Sequence, residues 1–137
     1  MAKLREILAG QDPVTAAPSD TVREASKKMA EGNVGCVVIT EEGKPLGVFT
    51  ERDLLRRVML ANQHADEVAV HEVMTAELIM LTGDDDAHRA QALMRKHHIR
   101  HMPIVDSTGK LLGVLSIRDL IREEVREMRD YITLMDG

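Results

Sequence analysis

The sequence has almost no aromatic residues: one Phe, one Tyr and no Trp occur among its 137 residues. Apolar residues nevertheless make up 44% of the chain, so its core has to be built from aliphatic side chains and from the nine Met. A chain of this length buries roughly two thirds of its unfolded surface when it folds. The composition therefore predicts thin layers of β-branched strands packed against helices rich in Leu and Met.

The chain also has little cysteine and no long apolar run. Cys36 is the single cysteine, which excludes an intramolecular disulfide and a cysteine-based zinc site. Its apolar neighbours predict a small buried core residue rather than a reactive thiol. No apolar run approaches the ~18 residues that span a bilayer, and charges interrupt Leu4, Ile7 and Leu8 where a signal peptide would be continuous. We expect a soluble, cytoplasmic protein that does not bind membranes.

The charge pattern and the missing motifs exclude further classes of function. The net charge of −5 is spread over interspersed acidic and basic residues, without the basic, aromatic-rich patch that tracks a nucleic-acid backbone. The sequence contains no G-x-G-x-x-G, G-x-x-x-x-G-K-[ST], H-E-x-x-H or G-x-S-x-G motif. No nucleophile has an identifiable activating partner, so neither nucleic-acid binding nor catalysis is expected.

What the sequence does contain is an internal repeat. Residues 43–56 and 109–122 are identical at nine of fourteen positions, at an offset of 66. The similarity extends over residues 14–58 and 79–124, with an offset of 65 before the turns. A single ancestral unit is therefore present twice.

Each copy predicts the same order of elements. A short apolar stretch leads into a helical pattern, and two β-rich runs joined by a turn containing Gly43 or Gly109 form a hairpin. A last helix opens at Thr50 or Ser116. Neither β-α-β-β-α unit buries both faces of its sheet alone, so we expect the two to stack around a pseudo-twofold axis. Residues 60–72 are expected to form a polar connection.

Acidic clusters precede the first helix of each copy. Asp20 or Thr21 in the first copy, and Asp85 or its neighbours in the second, are suitable N-caps. The three consecutive Asp of the second copy could instead hold Mg²⁺, but capping explains them without an ion.

The last helix of each copy begins with a hydroxyl residue followed three positions later by an Asp. This spacing is typical of a capping box. It is also compatible with a nucleotide site, because a helix N-terminus attracts phosphate, an Arg adds positive charge and the Asp accepts from ribose hydroxyls. Both interpretations remain open from the residues alone. The residues concerned are Thr50, Arg52 and Asp53 in the first copy and Ser116, Arg118 and Asp119 in the second.

At this point the chain resembles the paired CBS domains, or Bateman modules. The resemblance covers about residues 4–126 and depends on Val14–Ala16, on I-R-H-M-P-I-V-D at 99–106 and on G-h-h-[ST]-x-x-D in both copies. It implies an α+β tandem pair, with one repeat at 1–61, the second at 62–126 and a helical tail at 127–137. It also implies an adenosine nucleotide (AMP, ADP, ATP, or NAD or S-adenosylmethionine) bound between the repeats, whose occupancy regulates a partner protein.

The resemblance further implies roles for individual residues. Asp53 and Asp119 match the family's ribose-binding acid, and Thr50 and Ser116 match its phosphate- or ribose-contacting hydroxyl. Arg52 and Arg118 match a phosphate contact. The base-binding side corresponds to Thr15, Gly35 and Cys36 in the first copy and to Met80, Arg100 and His101, with Met102 and Pro103 of the same motif, in the second.

The two copies diverge on the base-binding side, and the larger side chains Met80, Arg100 and His101 stand in the second. Two equivalent clefts are therefore not expected. The first-copy base pocket would be completed by the acid of the second copy, so Asp119 should matter more for affinity than Asp53.

Two alternatives to nucleotide sensing follow from the same residues. The repeats could form a structural or dimerisation module without a ligand. They could also respond to a metal through His88, His97, His98 and His101, although no carboxylate or Cys accompanies these at ligand spacing. No catalytic cofactor is expected.

The tail carries a separate pattern. Apolar residues recur at intervals of four, three, four and three, which indicates an a/d seam of two heptads. The seam could pack on the chain's own core or on the same helix of a second chain, and the family resemblance implies a disc-shaped homodimer. We name these residues the seam: Ile121, Val125, Met128, Ile132 and Met135.

Overall fold

The computed structural model of the chain describes residues 2–136. The first half contains α1 (Leu4–Ile7), β1 (Thr15–Ala16), α2 (Val22–Gly32), β2 (Cys36–Glu41), β3 (Lys44–Thr50) and α3 (Glu51–Asp53), which continues as a π-helix (Leu54–Met59). The second half contains a 3-10 turn (Val70–Glu72), β4 (Leu81–Thr82), α4 (Ala87–His97), β5 (His101–Val105), β6 (Leu111–Ser116) and α5 (Ile117–Asp136). The predicted α+β architecture of two β-α-β-β-α repeats is confirmed.

Each repeat forms a three-stranded mixed sheet, in the order β1-β2-β3 and β4-β5-β6. The first two strands of each sheet are parallel and the last two form the predicted antiparallel hairpin. The first hairpin turns through Glu42 and Gly43, both at positive φ, which suits a tight two-residue turn. The second turn is longer, and the Asp106 carboxylate accepts hydrogen bonds from the backbone N–H groups of Thr108 and Lys110.

The first helix of each repeat begins and ends as its sequence predicts. The Thr21 hydroxyl accepts from the Glu24 N–H at 3.1 Å, and an Asp86 carboxylate oxygen accepts from the Arg89 N–H at 3.0 Å. The helices end at Asn33 and His98, which adopt the left-handed conformation at the C-cap. Capping therefore accounts for part of the acidic cluster.

Two hydrophobic cores lie side by side, and each is completed by a segment from outside its own repeat. Leu4 and Leu8 of the N-terminal segment belong to the core of the second repeat. Val70 of the connection and Val73 just after it belong to the core of the first repeat. The expectation of a purely polar connection at 60–72 is therefore wrong, because Val70 within it is fully buried.

The two sheets also bury their opposite faces. Val37 and Ile39 belong to the first core, yet Cys36 and Val38, which alternate with them along β2, are buried as well. The same holds for β5, where every residue from Met102 to Val105 is buried. Strands buried on both faces read as continuous apolar runs, which is what VGCVVI and HMPIV show.

The last helix, α5, is continuous for 20 residues. Leu120 and Glu123 face the body of the protein and are buried. The five seam residues lie on another face and are 42% to 69% exposed, so the seam does not pack on the chain's own core. Among residues 2–136 no helix combines the length and apolarity that crossing a membrane requires.

Candidate functional site

The predicted capping boxes are present at the start of both last helices. The Thr50 N–H donates to Asp53 at 3.0 Å, and the Asp53 N–H donates to the Thr50 hydroxyl at 3.2 Å. The Ser116 N–H donates to Asp119 at 2.8 Å, and the Asp119 N–H donates to the Ser116 hydroxyl at 3.2 Å. In both boxes the N–H of the second residue of the motif is also bonded, to the carbonyl oxygen of Gly35 or Arg100.

The two acids differ in what else surrounds them. Besides its capping bonds, Asp53 accepts a hydrogen bond from the Thr75 hydroxyl, 3.1 Å from one carboxylate oxygen and 3.3 Å from the other. The Arg57 guanidinium lies 3.5 Å away on the next turn of the helix. The Asp53 side chain is consequently only 8% exposed. Both carboxylate oxygens of Asp53 therefore already have partners within the fold.

Asp119 keeps one side of its carboxylate open. Among residues 2–136, its second oxygen has the exposed Arg122 guanidinium as its ion-pair partner, at 3.7 Å, and its side chain is 18% exposed. A groove of about 210 Å³ borders it and is also lined by Glu6, Arg122 and Arg126. The corresponding groove of the first repeat is lined by Arg56, Arg57 and Glu72, and Asp53 does not border it.

The difference arises from the segment that crosses each hairpin. Thr75 pairs through its backbone with Val48, at 3.0 and 2.8 Å, and this places its hydroxyl over Asp53. In the second repeat the residue that pairs with the matching Val114 is Gln11 and not a Thr. There the Gln11 side-chain amide makes the corresponding pair of hydrogen bonds to Val114, at 2.6 and 3.1 Å.

These crossings also explain the glycine of the G-h-h-[ST]-x-x-D motif. A Cβ on Gly47 would lie 2.5 Å from the Met74 sulfur and 2.9 Å from the Thr75 carbonyl oxygen. A Cβ on Gly113 would lie 2.8 Å from the Gln11 side-chain oxygen. Packing by itself therefore disfavours a side chain at both glycine positions.

The base-binding side of the first copy is closely packed. Thr15 is half-buried on β1, and its carbonyl oxygen accepts a hydrogen bond from the Lys28 ammonium at 3.0 Å. Cys36 is 3% exposed, which confirms the predicted buried thiol. Burial, assisted by the charge of Asp53, raises the pKa of Cys36 to about 12. The thiol is therefore protonated at neutral pH and is not a nucleophile.

The two repeats meet at Gly35 and His101. A Cβ built on Gly35 would lie 3.4 Å from the His101 ring and 2.5 Å from a Glu51 carboxylate oxygen. Burial lowers the pKa of His101 below its ordinary value; the charges of Glu51 and Asp119 oppose this, and that of Arg100 adds to it. His101 is thus a half-buried, mainly neutral ring between acids of the two repeats at pH 7.

The remaining predicted residues divide into exposed and buried ones. Arg52, Arg100 and Arg118 are exposed, as a phosphate contact would need, and Met80 is 38% exposed just before β4. Met102 is fully buried in the second core, and Pro103 is buried on the next position of β5. The structure thus brings together Thr50, Asp53 and Cys36 in one group, and Ser116, Asp119 and His101, with Gly35, in another.

Three residues near the site were not found by sequence reasoning. Thr75 lies between the connection at 60–72 and the repeated residues 79–124, so no pattern pointed to it. Glu51 differs from its counterpart Ile117, and Glu123 replaces the Arg57 of the first copy. Glu123 is buried and paired with Arg126 at 2.5 Å. Glu51 and Glu123 could have been found from the sequence, because each differs in charge from its counterpart in the other copy.

A metal centre does not form among the described residues. Within residues 2–136 no three His, Cys, Asp or Glu side chains are placed to share an ion. His98 serves as the C-cap of α4, and Asp85 is paired with Arg89 at 3.1 Å.

Comparison with known proteins gives one consistent family. Residues 4–60 and 70–126 each match the family model described as CBS domain. The uncharacterized protein MK0525 of Methanopyrus kandleri is 36% identical over 118 residues, which cover 85% of this chain and 60% of that protein. CBS domain-containing protein YhcV of Bacillus subtilis is 32% identical over 120 residues, covering 88% and 84%. The chain spans about 60% of the length of the first curated relatives it matches.

Solved structures agree in fold. The CBS domain NE2398 superposes with a TM-score of 0.85 at 31% identity, over 91% of this chain and 99% of that one. CBS domain protein PAE2072 of Pyrobaculum aerophilum, complexed with AMP, gives 0.79 at 33% identity, over 85% and 88%. The CBS domain pair of MJ0100, in complex with 5′-methylthioadenosine and S-adenosyl-L-methionine, gives 0.81 at 25% identity, over 93% and 98%.

Proposed function

The chain belongs to the CBS domain family as a tandem pair, and on this premise we propose that it is a regulatory module that binds an adenosine ligand between its repeats. The carrying observation is the asymmetry of the two acids. The second carboxylate oxygen of Asp119 faces the exposed Arg122, whereas both oxygens of Asp53 are occupied by Thr75, Arg57 and the helix cap. The main ligand site is therefore the one that uses Asp119.

In this site each side chain has a distinct task. Asp119 accepts hydrogen bonds from the ribose hydroxyls with its open oxygen while its other oxygen keeps the helix cap. The Ser116 hydroxyl and the exposed Arg118 guanidinium contact phosphate at the positive end of α5. Because these groups lie at a fixed helix start, little ordering is needed on binding.

The base is placed where the repeats meet, next to Gly35 and the His101 ring. Gly35 allows Glu51 and the His101 ring to lie close to its backbone, and the neutral imidazole offers a flat face with one donor and one acceptor nitrogen. The exposed Arg100 precedes His101 in the chain, whereas Cys36 pairs with Thr50 across the first hairpin and belongs to the other group. Met102 and Pro103 follow His101 on β5 and are buried.

The secondary site, built on Thr50, Arg52 and Asp53, binds more weakly. A ribose there has to compete with the Thr75 hydroxyl for the Asp53 carboxylate. We expect one strong site per chain for AMP, ADP, ATP, NAD or S-adenosylmethionine. AMP and S-adenosylmethionine are supported by the ligands of the two related structures named above.

The proposed output is regulation of a partner protein. The Cys36 thiol is protonated at neutral pH, so it does not serve as a nucleophile in this module. Because the repeats exchange segments, a ligand between them would couple both cores to α5. The regulated partner, a homodimeric assembly and a cytoplasmic location stay predictions.

Isothermal titration calorimetry tests the proposal. Freshly unfolded and refolded protein, freed of retained small molecules, is titrated with AMP, ADP, ATP, NAD, S-adenosylmethionine and 5′-methylthioadenosine, and with GMP as the control base. One site per chain for at least one adenosine ligand, weaker for GMP, is expected. A ligand at about 100 times its Kd should add about 2.7 kcal/mol of stability. No heat and no shift in Tm with any of the six would leave the structural-module alternative as the better account.

A further inference from the structure

A short segment just after the connection crosses the first hairpin beside Asp53. The Thr75 N–H donates to the Val48 carbonyl oxygen at 2.8 Å, and the Val48 N–H donates back to Thr75 at 3.0 Å. The Thr75 hydroxyl donates to Asp53 at 3.1 Å. The Arg57 guanidinium donates to the Met74 carbonyl oxygen at 2.9 Å. We name three residues of this segment the strap: Val73, Met74 and Thr75.

The two ends of the strap are held in different ways. Val73 is 8% exposed and belongs to the first core, so this end is fixed by apolar packing. Thr75 is half-buried and is held by hydrogen bonds, and Ala76 and Glu77 after it are exposed. The chain then runs into β4 of the second repeat at Leu81. The Thr75 end can therefore detach without opening the core, and it lies on the path from one repeat to the other.

Asp53 has no oxygen left for a ribose while the strap is in place. One oxygen accepts from the Thr50 N–H at the helix cap. The other accepts from the Thr75 hydroxyl and faces Arg57 at 3.5 Å. Ribose hydroxyls are donors of the same kind as the Thr75 hydroxyl, so a ribose that binds Asp53 has to take its place. Exchanging one hydroxyl donor for another gains little net free energy, which makes this site the weaker one.

The second repeat has a different arrangement at the matching place. Gln11 crosses the second hairpin, and both ends of its side-chain amide are bonded to the backbone of Val114. The position of Arg57 is taken by Glu123, which pairs with Arg126 instead. A ligand on Asp119 therefore has no strap to displace. Only the weaker site couples ligand binding to the segment that joins the repeats.

We propose that the strap is a latch, which opens when a ribose-bearing ligand binds Asp53 and displaces the Thr75 hydroxyl. The inference rests on the proposed function, since the adenosine ligand is the group that opens the latch. It adds the regulation of the weaker site. The strong site fills at low ligand concentration and leaves the strap closed, whereas the weaker site fills at higher concentration and releases it.

The first experiment removes the hydroxyl that competes with the ribose. An Asp119→Ala background removes the strong site, and AMP is titrated calorimetrically into this protein with and without Thr75→Val. The Val side chain keeps the shape of Thr but has no donor, so the Kd of the weaker site should fall about tenfold. Thr75→Ser restores a hydroxyl and should return the Kd to its starting value. The matched control is Thr133→Val, which removes an exposed hydroxyl bonded within α5 and should change nothing.

The outcomes separate the latch from the proposed function. An unchanged Kd of the weaker site in Thr75→Val, with AMP still bound at the strong site of the wild type, would overturn the latch alone. A Thr75→Ser variant that behaves like Thr75→Val would also overturn it, because the hydroxyl would then not be the competing group. Absence of AMP binding at either site would overturn the proposed function and the latch with it.

The second experiment follows the strap in the wild type, so it remains decisive if Thr75→Val does not fold. Hydrogen exchange of single backbone amides is measured by NMR at increasing AMP concentration. The amides of Val48 and Thr75 bond the two segments to each other and should exchange several times faster once the weaker site fills. The Val114 amide, held by Gln11, is the internal control and should not change. Equal or slower exchange at Val48 and Thr75 would show a ligand bound beside a closed strap and would overturn the proposal.

Discussion

Alanine substitutions of the two acids of the repeated motif should distinguish a loss of folding stability from a loss of ligand affinity. Asp53→Ala removes the bond to the Thr50 N–H, the bond from the Thr75 hydroxyl and the contact with Arg57. Asp119→Ala removes one cap and one exposed ion contact. A lost helix cap costs about 1 kcal/mol, and each further hydrogen bond to a charged group costs about 1.5 kcal/mol or more. Asp53→Ala should therefore destabilise the fold by about 3 kcal/mol and Asp119→Ala by about 1 kcal/mol.

The effect on ligand affinity should run the other way. Asp119→Ala loses charge-assisted hydrogen bonds to the ribose, which are worth about 1.5 to 3 kcal/mol, or roughly a 10- to 150-fold increase in Kd. Asp53→Ala should change the Kd of the strong site by less than about threefold. In a domain of this size each kcal/mol corresponds to roughly 3 to 5 °C in Tm, so the stability difference is measurable.

The assay is a thermal melt without ligand, followed by calorimetric titration at a temperature where both variants are folded. Asp130→Ala, an exposed acid on α5, serves as the control and should match the wild type in both measurements. Equal losses of affinity in the two variants, or a larger loss of stability for Asp119→Ala, would refute the argument from Thr75 and Arg57.

Three further predictions concern other residues of the site. Gly47→Ala should lower the free energy of unfolding in urea by about 1 to 3 kcal/mol, because the new Cβ meets a backbone oxygen. Gly113→Ala should lower it by less, because its Cβ meets mainly a flexible side chain. The reverse order would contradict the packing argument. The pKa of His101 in the folded state lies below 6.5, so the unfolded chain binds this proton at a higher pH than the folded chain does. The free energy of unfolding should therefore fall as the pH decreases from about 6.5 through the folded-state pKa. His101→Gln should reduce this loss. An unchanged pH profile of stability in that variant would count against the burial of the ring. Cys36, with its pKa raised to about 12, should react with a thiol reagent only on unfolding, so rapid labelling of the native protein at pH 8 would show that the pocket is open.

Much of the fold can be predicted from the sequence alone, because the caps and turns depend on residues that are close together in the chain. The caps at Thr21 and Asp86, the turn at Glu42 and Gly43, and the boxes at Thr50 and Ser116 each depend on residues three or four positions apart. The internal repeat extends this prediction, because two copies of one pattern predict two similar sheets. The amphipathic seam of α5 was visible for the same reason, since helical periodicity is a property of neighbouring residues.

What the sequence determined by itself was thus the β-α-β-β-α unit, its duplication and the chemistry of the hydroxyl and acid at each helix start. Only the tertiary structure decided which acid is open, because Thr75 reaches Asp53 from 22 positions away, whereas the Gln11 side chain at the second hairpin is bonded to Val114. The exchange of Leu4 and Val70 between the two cores was likewise beyond local patterns. Contacts between distant segments depend on where the whole chain packs, and a repeat offset carries no information about the segments that lie outside the repeat.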